Sequence, residues 1–171
     1  MVGEGVSPER VVIYYYLGCM ERAYCRAGDE HLCPKLHAEY SFISDGGYAE
    51  YVTVPARNAV PLPDTVADVE AAPIGCAVTT AVHATKIAEL EVSEWVVVYG
   101  AGGVGFGLVQ LARAKGGRVI AIGRTAAKLE KALKLGAEVR VNAAEESVAE
   151  RIREITEGTG ADVVFERLCR H

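Results

Sequence analysis

The rhythm of apolar and polar positions changes near residue 91. Before it, the short apolar runs "RVVIYYYL", "GGYAEYVTVP" and "AVPLPD" are punctuated by glycine and proline. The alternation through Tyr48, Glu50, Val52 and Val54, with its β-branched content, predicts short antiparallel strands. Pro55, Pro61 and Pro63 break the pattern into loops and edges. Residues 64–90 predict two helices interrupted near Pro73–Gly75, the second carrying Cys76, Thr80 and His83.

From Glu94 the pattern becomes strand and helix in turn. "WVVVY" predicts a strand, "GAGGVG" a turn, and residues 104–115 a helix. "RVIAI" predicts the next strand, followed by a helix over 126–135 that Gly136 ends. A short strand around "EVRV", a helix over 145–157 closed by Gly158, and the strand "ADVVF" complete the series. Alternation on this scale predicts a parallel sheet under helical cover. The expected architecture is α/β, a Rossmann-like partial doubly wound sheet with a small N-terminal β-rich, cysteine-bearing lobe. The expected domains are 1–63 and 64–171. A strand buried on both faces is not expected at the end of such a sheet, so the architecture reads as truncated.

The most specific chemistry lies in "VVVYGAGGVGFGLVQLARA". Gly100, Gly102 and Gly105 stand in G-x-G-x-x-G register between an apolar strand and an amphipathic helix. The first glycine permits the tight turn, the second close approach of backbone to a pyrophosphate, and the third close packing of helix on strand. Free N–H groups at the helix start, from Gly103 and Val104 onward, would hold the phosphates. Cofactor choice is read about twenty residues on, where an acid would bind ribose hydroxyls and repel a 2′-phosphate. Here the strand ends in Gly123, followed by Arg124, Thr125 and Lys128. Loss of the acid removes the repulsion, and a guanidinium binds phosphate through paired hydrogen bonds. The expected cofactor is NADP(H), with NAD(H) also accommodated. The competing reading makes Arg124 a solvated loop charge and Thr125 a helix cap.

Charge and composition narrow the classes. A net charge of −5 and a pI near 5.4, with no basic run, argue against a nucleic-acid surface. No apolar stretch is long enough and glycine-poor enough to span a membrane. The N-terminus shows no signal-peptide segment, so a cytoplasmic location is the expectation. One glutamine and two asparagines form a weak thermophile signature, a setting in which intracellular disulfides occur.

"GGYAEY", "AAPIGCAVTTA", "VVVYGAGGVG" and the cysteines of "CMERAYCRAGDEHLC" together resemble the medium-chain zinc-dependent alcohol dehydrogenases. The likeness runs from "VGEGV" to "GADVVFE" and covers the middle of the family's pattern. It implies that Cys76 matches a ligand of a catalytic zinc and Thr80 a residue beside the nicotinamide. The other two zinc ligands would precede this chain, so alcohol oxidation by the chain alone is expected to be weak or absent. His83 is a possible recruit or a structural histidine. An active NAD(P)-dependent oxidoreductase for alcohols, aldehydes or quinones, and a non-catalytic oligomeric protein, are the alternatives.

The resemblance also implies a structural zinc lobe of pattern C-x2-C-x2-C-x7-C. Cys19, Cys25 and Cys33 occupy its first, third and fourth places, and Arg22 stands at the second. Arginine offers no acceptor to a metal. Occupied zinc completed by Glu21 or His31, a disulfide between two cysteines, and plain thiols all remain open. The expectation is a metal lobe without its metal. Such a lobe and the open strand edge predict a homo-oligomer.

Overall fold

The computed structural model describes residues 10–166. The terminal segments "MVGEGVSPE" and "RLCRH", with the expectations that fall on them, lie outside the described residues. The chain divides into two compact units, Met1–Gly75 and Cys76–His171. The sequence placed this junction at 63/64. Residues after Pro63 go with the first unit, where Arg10 holds both the Asp68 carboxylate at 2.6 Å and the Val66 carbonyl at 2.5 Å.

The first unit is built from two-stranded pieces. Strand β1 (Val11–Ile13) pairs antiparallel with β4 (Ala59–Pro61), and β2 (Tyr16–Leu17) with β3 (Ala38–Glu39). "RVVIYYYL" is therefore two strands, not one. Buried Asn58 explains the break, because its amide nitrogen donates to the Tyr14 and Tyr16 carbonyls at 2.7 and 2.8 Å. Helix α1 (Ala23–Ala27) follows the first cysteine, and α2 (Asp68–Ala71) lies near the end of the unit. The expected strand over Tyr48–Val54 is absent. Tyr48 and Tyr51 are exposed there and line a hollow with Tyr40 and Phe42. Alternation marks fitness for a pleated surface, but a strand needs a partner, and none pairs with this segment among the described residues.

The second unit follows the predicted alternation closely. After α3 (Thr79–Ile87) come β5 (Trp95–Tyr99), α4 (Gly103–Ala114), β6 (Arg118–Gly123), α5 (Ala126–Lys134), β7 (Val139–Asn142), α6 (Val148–Ile155) and β8 (Val163–Glu166). All four strands are parallel, in the order β7-β6-β5-β8. Both faces of β5 are buried. Val96 and Val98 pack with Leu108, Val109 and Ala112, while Val97 packs with Ile120, Ile122 and Val141 on the other face. Each such side chain contributes about 1.5–3 kcal/mol. This double burial is why the strand reads as a continuous valine run. The last helix is shorter than the predicted 145–157, since Glu145 and Glu146 form a turn back to Asn142. Among the described residues no helix is long and apolar enough to cross a membrane.

Candidate cofactor and metal sites

Chain order reverses direction across β5: β6 and β7 build outward on one side and β8 on the other. Such a switch point opens a crevice beyond the carboxyl ends of the strands. The glycine turn sits there. Gly100 takes a φ of +118°, a left-handed conformation that favours glycine, and its N–H donates to the Ile122 carbonyl at 2.9 Å. Gly102 is the N-cap of α4, and its carbonyl accepts from Phe106 N–H at 2.8 Å. The N–H groups of Gly103, Val104 and Gly105 open the helix, where first-turn donors have no intrahelical acceptor. A side chain at Gly105 would overlap the Gly100 carbonyl oxygen, so this glycine lets the helix cross the strand end. A Cβ on Gly102 would meet nothing within 4 Å. That open space beside unpaired amides fits the pyrophosphate of a dinucleotide.

The end of β6 adjoins this turn through the Tyr99–Ile122 register pair. A Cβ on Gly123 would lie 3.5 Å from Ala101 Cβ and 3.4 Å from Leu129 Cδ2. Arg124, Thr125 and Lys128 are exposed just beyond it. Among the described residues neither Arg124 nor Lys128 enters an ion pair. Thr125 holds the N-cap position of α5, yet its hydroxyl makes no capping hydrogen bond. The hydroxyl role that would compete with ligand binding is thus unfilled.

Cys76 lies in a single π-helical turn, Ile74–Val78, that runs directly into α3. The sequence read a break there, and the slip to wider hydrogen-bond spacing accounts for it. Cys76 and Thr80 are both exposed, and Thr79 Oγ1 donates to the Cys76 carbonyl at 3.1 Å. A Cβ on Gly103 would lie 3.8 Å from Ala77 Cβ, so this segment borders the start of α4. Cys76 belongs to no group of potential metal ligands among the described residues.

The cysteine lobe is different. Cys19, Cys25 and Cys33 bring their Sγ atoms within 4.8 Å of one another, with Cys25 and Cys33 buried. Cys19 Sγ is 3.5 Å from Cys33 Sγ and 4.0 Å from Cys25 Sγ. The described cysteines are free thiols, so the disulfide alternative is not formed among them. Zinc–sulfur bonds of about 2.3 Å in tetrahedral arrangement separate sulfurs by about 3.8 Å. Three vertices of such a site are in place. Backbone N–H groups of Cys19 and Lys35 point at Cys33, and that hydrogen bonding holds its thiol down at about 7 against opposing burial. Burial, with the Cys33 contact, pushes Cys25 up, while Met20 N–H opposes the rise. Arg57 and Glu30, which the sequence did not single out, brace the loop. Glu30 accepts from Arg57 at 2.8 Å and from Gly18 N–H at 3.0 Å.

A family profile described as zinc-binding dehydrogenase matches residues 103–171, and one described as alcohol dehydrogenase GroES-like domain matches residues 2–64. An alcohol dehydrogenase of Geobacillus stearothermophilus is 40% identical over 169 residues, 95% of this chain and 50% of that protein. The chain belongs to the medium-chain zinc-dependent alcohol dehydrogenase family. An NAD-dependent alcohol dehydrogenase of Sulfurisphaera tokodaii is 39% identical over 148 residues, 84% of this chain and 42% of its own length. A short chain alcohol dehydrogenase from E. coli CFT073, solved in complex with NADH, aligns with a TM-score of 0.89 at 32% identity. That alignment covers 99% of this chain and 51% of the other. The chain spans about half the length of the curated alcohol dehydrogenase relatives it matches.

Proposed function

We propose that this chain binds a nicotinamide dinucleotide across the carboxyl ends of β5 and β6, preferring NADP(H) to NAD(H), and that alone it oxidises alcohols weakly or not at all. The observation carrying the reading is the open space at Gly102, placed at the helix start and at the switch point of the sheet. The pyrophosphate would accept from the amides of Gly103, Val104 and Gly105, while the Gly102 N–H already donates to the Gly100 carbonyl at 3.0 Å. Arg124, Thr125 and Lys128, next to a neutral Gly123, would take the 2′-phosphate. The expectation of weak turnover rests on the family resemblance, in which Cys76 matches one of three ligands to a catalytic zinc. A fluorescence titration tests this: NADPH should bind at least about tenfold tighter than NADH, a preference worth about 1.4 kcal/mol. Absence of binding by either at millimolar concentration would refute it.

A second reading, an active oxidoreductase for alcohols, aldehydes or quinones, is favoured by the Cys76–Thr80 segment bordering α4. Cofactor-dependent absorbance change with a substrate panel distinguishes the two. Self-association belongs to the same proposal, since β8 pairs on one side only among the described residues and Val164 on it is exposed. Light scattering at micromolar concentration should show more than a monomer. A cytosolic location belongs to the same proposal, carried by the sequence expectation alone.

A further inference from the structure

We propose that Cys19 and Cys33 form a reversible redox pair, closing to a disulfide by exchange with a low-molecular-weight disulfide and leaving Cys25 a thiol. The inference is independent of the dinucleotide reading. Its first support is distance. Cys19 Sγ lies 3.5 Å from Cys33 Sγ and 4.0 Å from Cys25 Sγ. A sulfur–sulfur bond of about 2.05 Å asks the first pair to approach by about 1.5 Å, a movement that two side chains and a loop can share. Its second support is which backbone can give way. Cys19 lies in irregular chain between β2 and α1, and Cys33 follows the 3-10 turn Glu30–Leu32. Cys25 is inside α1, where its carbonyl accepts from Gly28 N–H at 3.2 Å. A Cβ on Gly18 would lie 2.7 Å from Cys25 Sγ, so this sulfur is wedged against the chain. Three thiols make one disulfide, and the helix-bound, wedged sulfur is the one left over.

Access sets the order of the steps. Cys25 and Cys33 are buried, while Cys19 is partly exposed and meets the reagent first. Cys19 Sγ, as the thiolate, attacks one sulfur of the small disulfide, whose S–S bond breaks and releases one thiolate. Cys33 Sγ, its proton given to water, then attacks the sulfur of Cys19 and expels the second thiolate. Both leaving thiolates can take up protons, so two protein thiols lose two electrons and one small disulfide becomes two thiols. The new bond joins residues 14 positions apart, across α1 and the 3-10 turn. It restricts local opening of that loop, and reduction restores it.

Equilibration of the full chain in mixtures of oxidised and reduced glutathione tests the proposal, after reduction, chelation and removal of both reagents. Acid quenching, alkylation and peptide mapping by mass spectrometry then report the state of each cysteine. A Cys19–Cys33 link should grow with the oxidised fraction and disappear with dithiothreitol, while Cys25 and Cys76 are recovered as alkylated thiols. Cys25→Ser should still form the link. Cys33→Ser should instead accumulate glutathione on Cys19. Trypsin cleavage of the native chain after Arg22 and Arg26, both exposed within the loop, should slow on the order of threefold or more once the link is made. No link in excess oxidised glutathione, a principal link through Cys25 or Cys76, or cleavage at an unchanged rate would overturn the proposal. The wild-type map and cleavage rate decide the matter even if a variant fails to fold.

Discussion

Gly102 and Gly105 stand three residues apart and answer to different constraints. At Gly105 an added methyl would collide with the Gly100 carbonyl, backbone that cannot step aside. At Gly102 it would project into empty space, and φ there is an ordinary −116°. Gly105→Ala should therefore lose about 1–3 kcal/mol of stability in a denaturant melt. Gly102→Ala should stay within about 0.5 kcal/mol of the parent. Its dinucleotide affinity should nevertheless drop at least about tenfold, because the methyl occupies the pyrophosphate's place. Equal loss of stability in both variants would contradict this division. The same scale decides cofactor preference. A Cβ at Gly123 makes only ordinary contacts of 3.4–3.5 Å, so Gly123→Asp should fold. Its carboxylate would engage ribose hydroxyls and repel a 2′-phosphate, reversing the NADPH/NADH affinity ratio by about tenfold or more. An unchanged ratio in paired titrations would remove Gly123 and Arg124 from the specificity argument.

Among the elements, α3 packs closely against α4 near the cofactor site. A Cβ on Gly107 would lie 3.1 Å from Ala81 Cβ and 3.3 Å from the Ala77 carbonyl oxygen. Valine there overfills the contact and should cost about 1–3 kcal/mol, read by urea unfolding through Trp95 fluorescence. A variant as stable as the parent would mean that the helices separate freely. Helices and strands of the second unit were legible because each carries one unambiguous period: the valines of β5, the Gly136 and Gly158 stops, the glycine turn. The π turn at Cys76 was not, since a one-residue slip in hydrogen bonding leaves the apolar pattern intact. The misread strand at Tyr48–Val54 failed for the complementary reason. Its pattern was right for a pleat, but pairing is a tertiary event that local pattern does not encode. Asn58 shows the same limit, dividing "RVVIYYYL" from more than forty positions away, as the separations of 44 and 42 to Tyr14 and Tyr16 record.

Across the whole molecule, each unit keeps one site whose framework is written in the sequence and whose completeness is not. G-x-G-x-x-G located the phosphate turn, and only the structure places the turn at a strand-order reversal with clear space over Gly102. Cysteine spacing located the lobe, and only the structure brings three sulfurs within 4.8 Å while committing Glu30 elsewhere. The central claim concerns the first site: amides at the start of α4 receive a dinucleotide's bridging phosphates. Amide chemical-shift mapping of the nitrogen-15-labelled chain under NADPH addition tests it most directly. The largest saturable shifts are expected at Gly103, Val104 and Gly105, with a second group at Arg124–Lys128 that shrinks when NADH replaces NADPH. Saturable shifts confined to other parts of the chain, or none at millimolar coenzyme, would contradict the account.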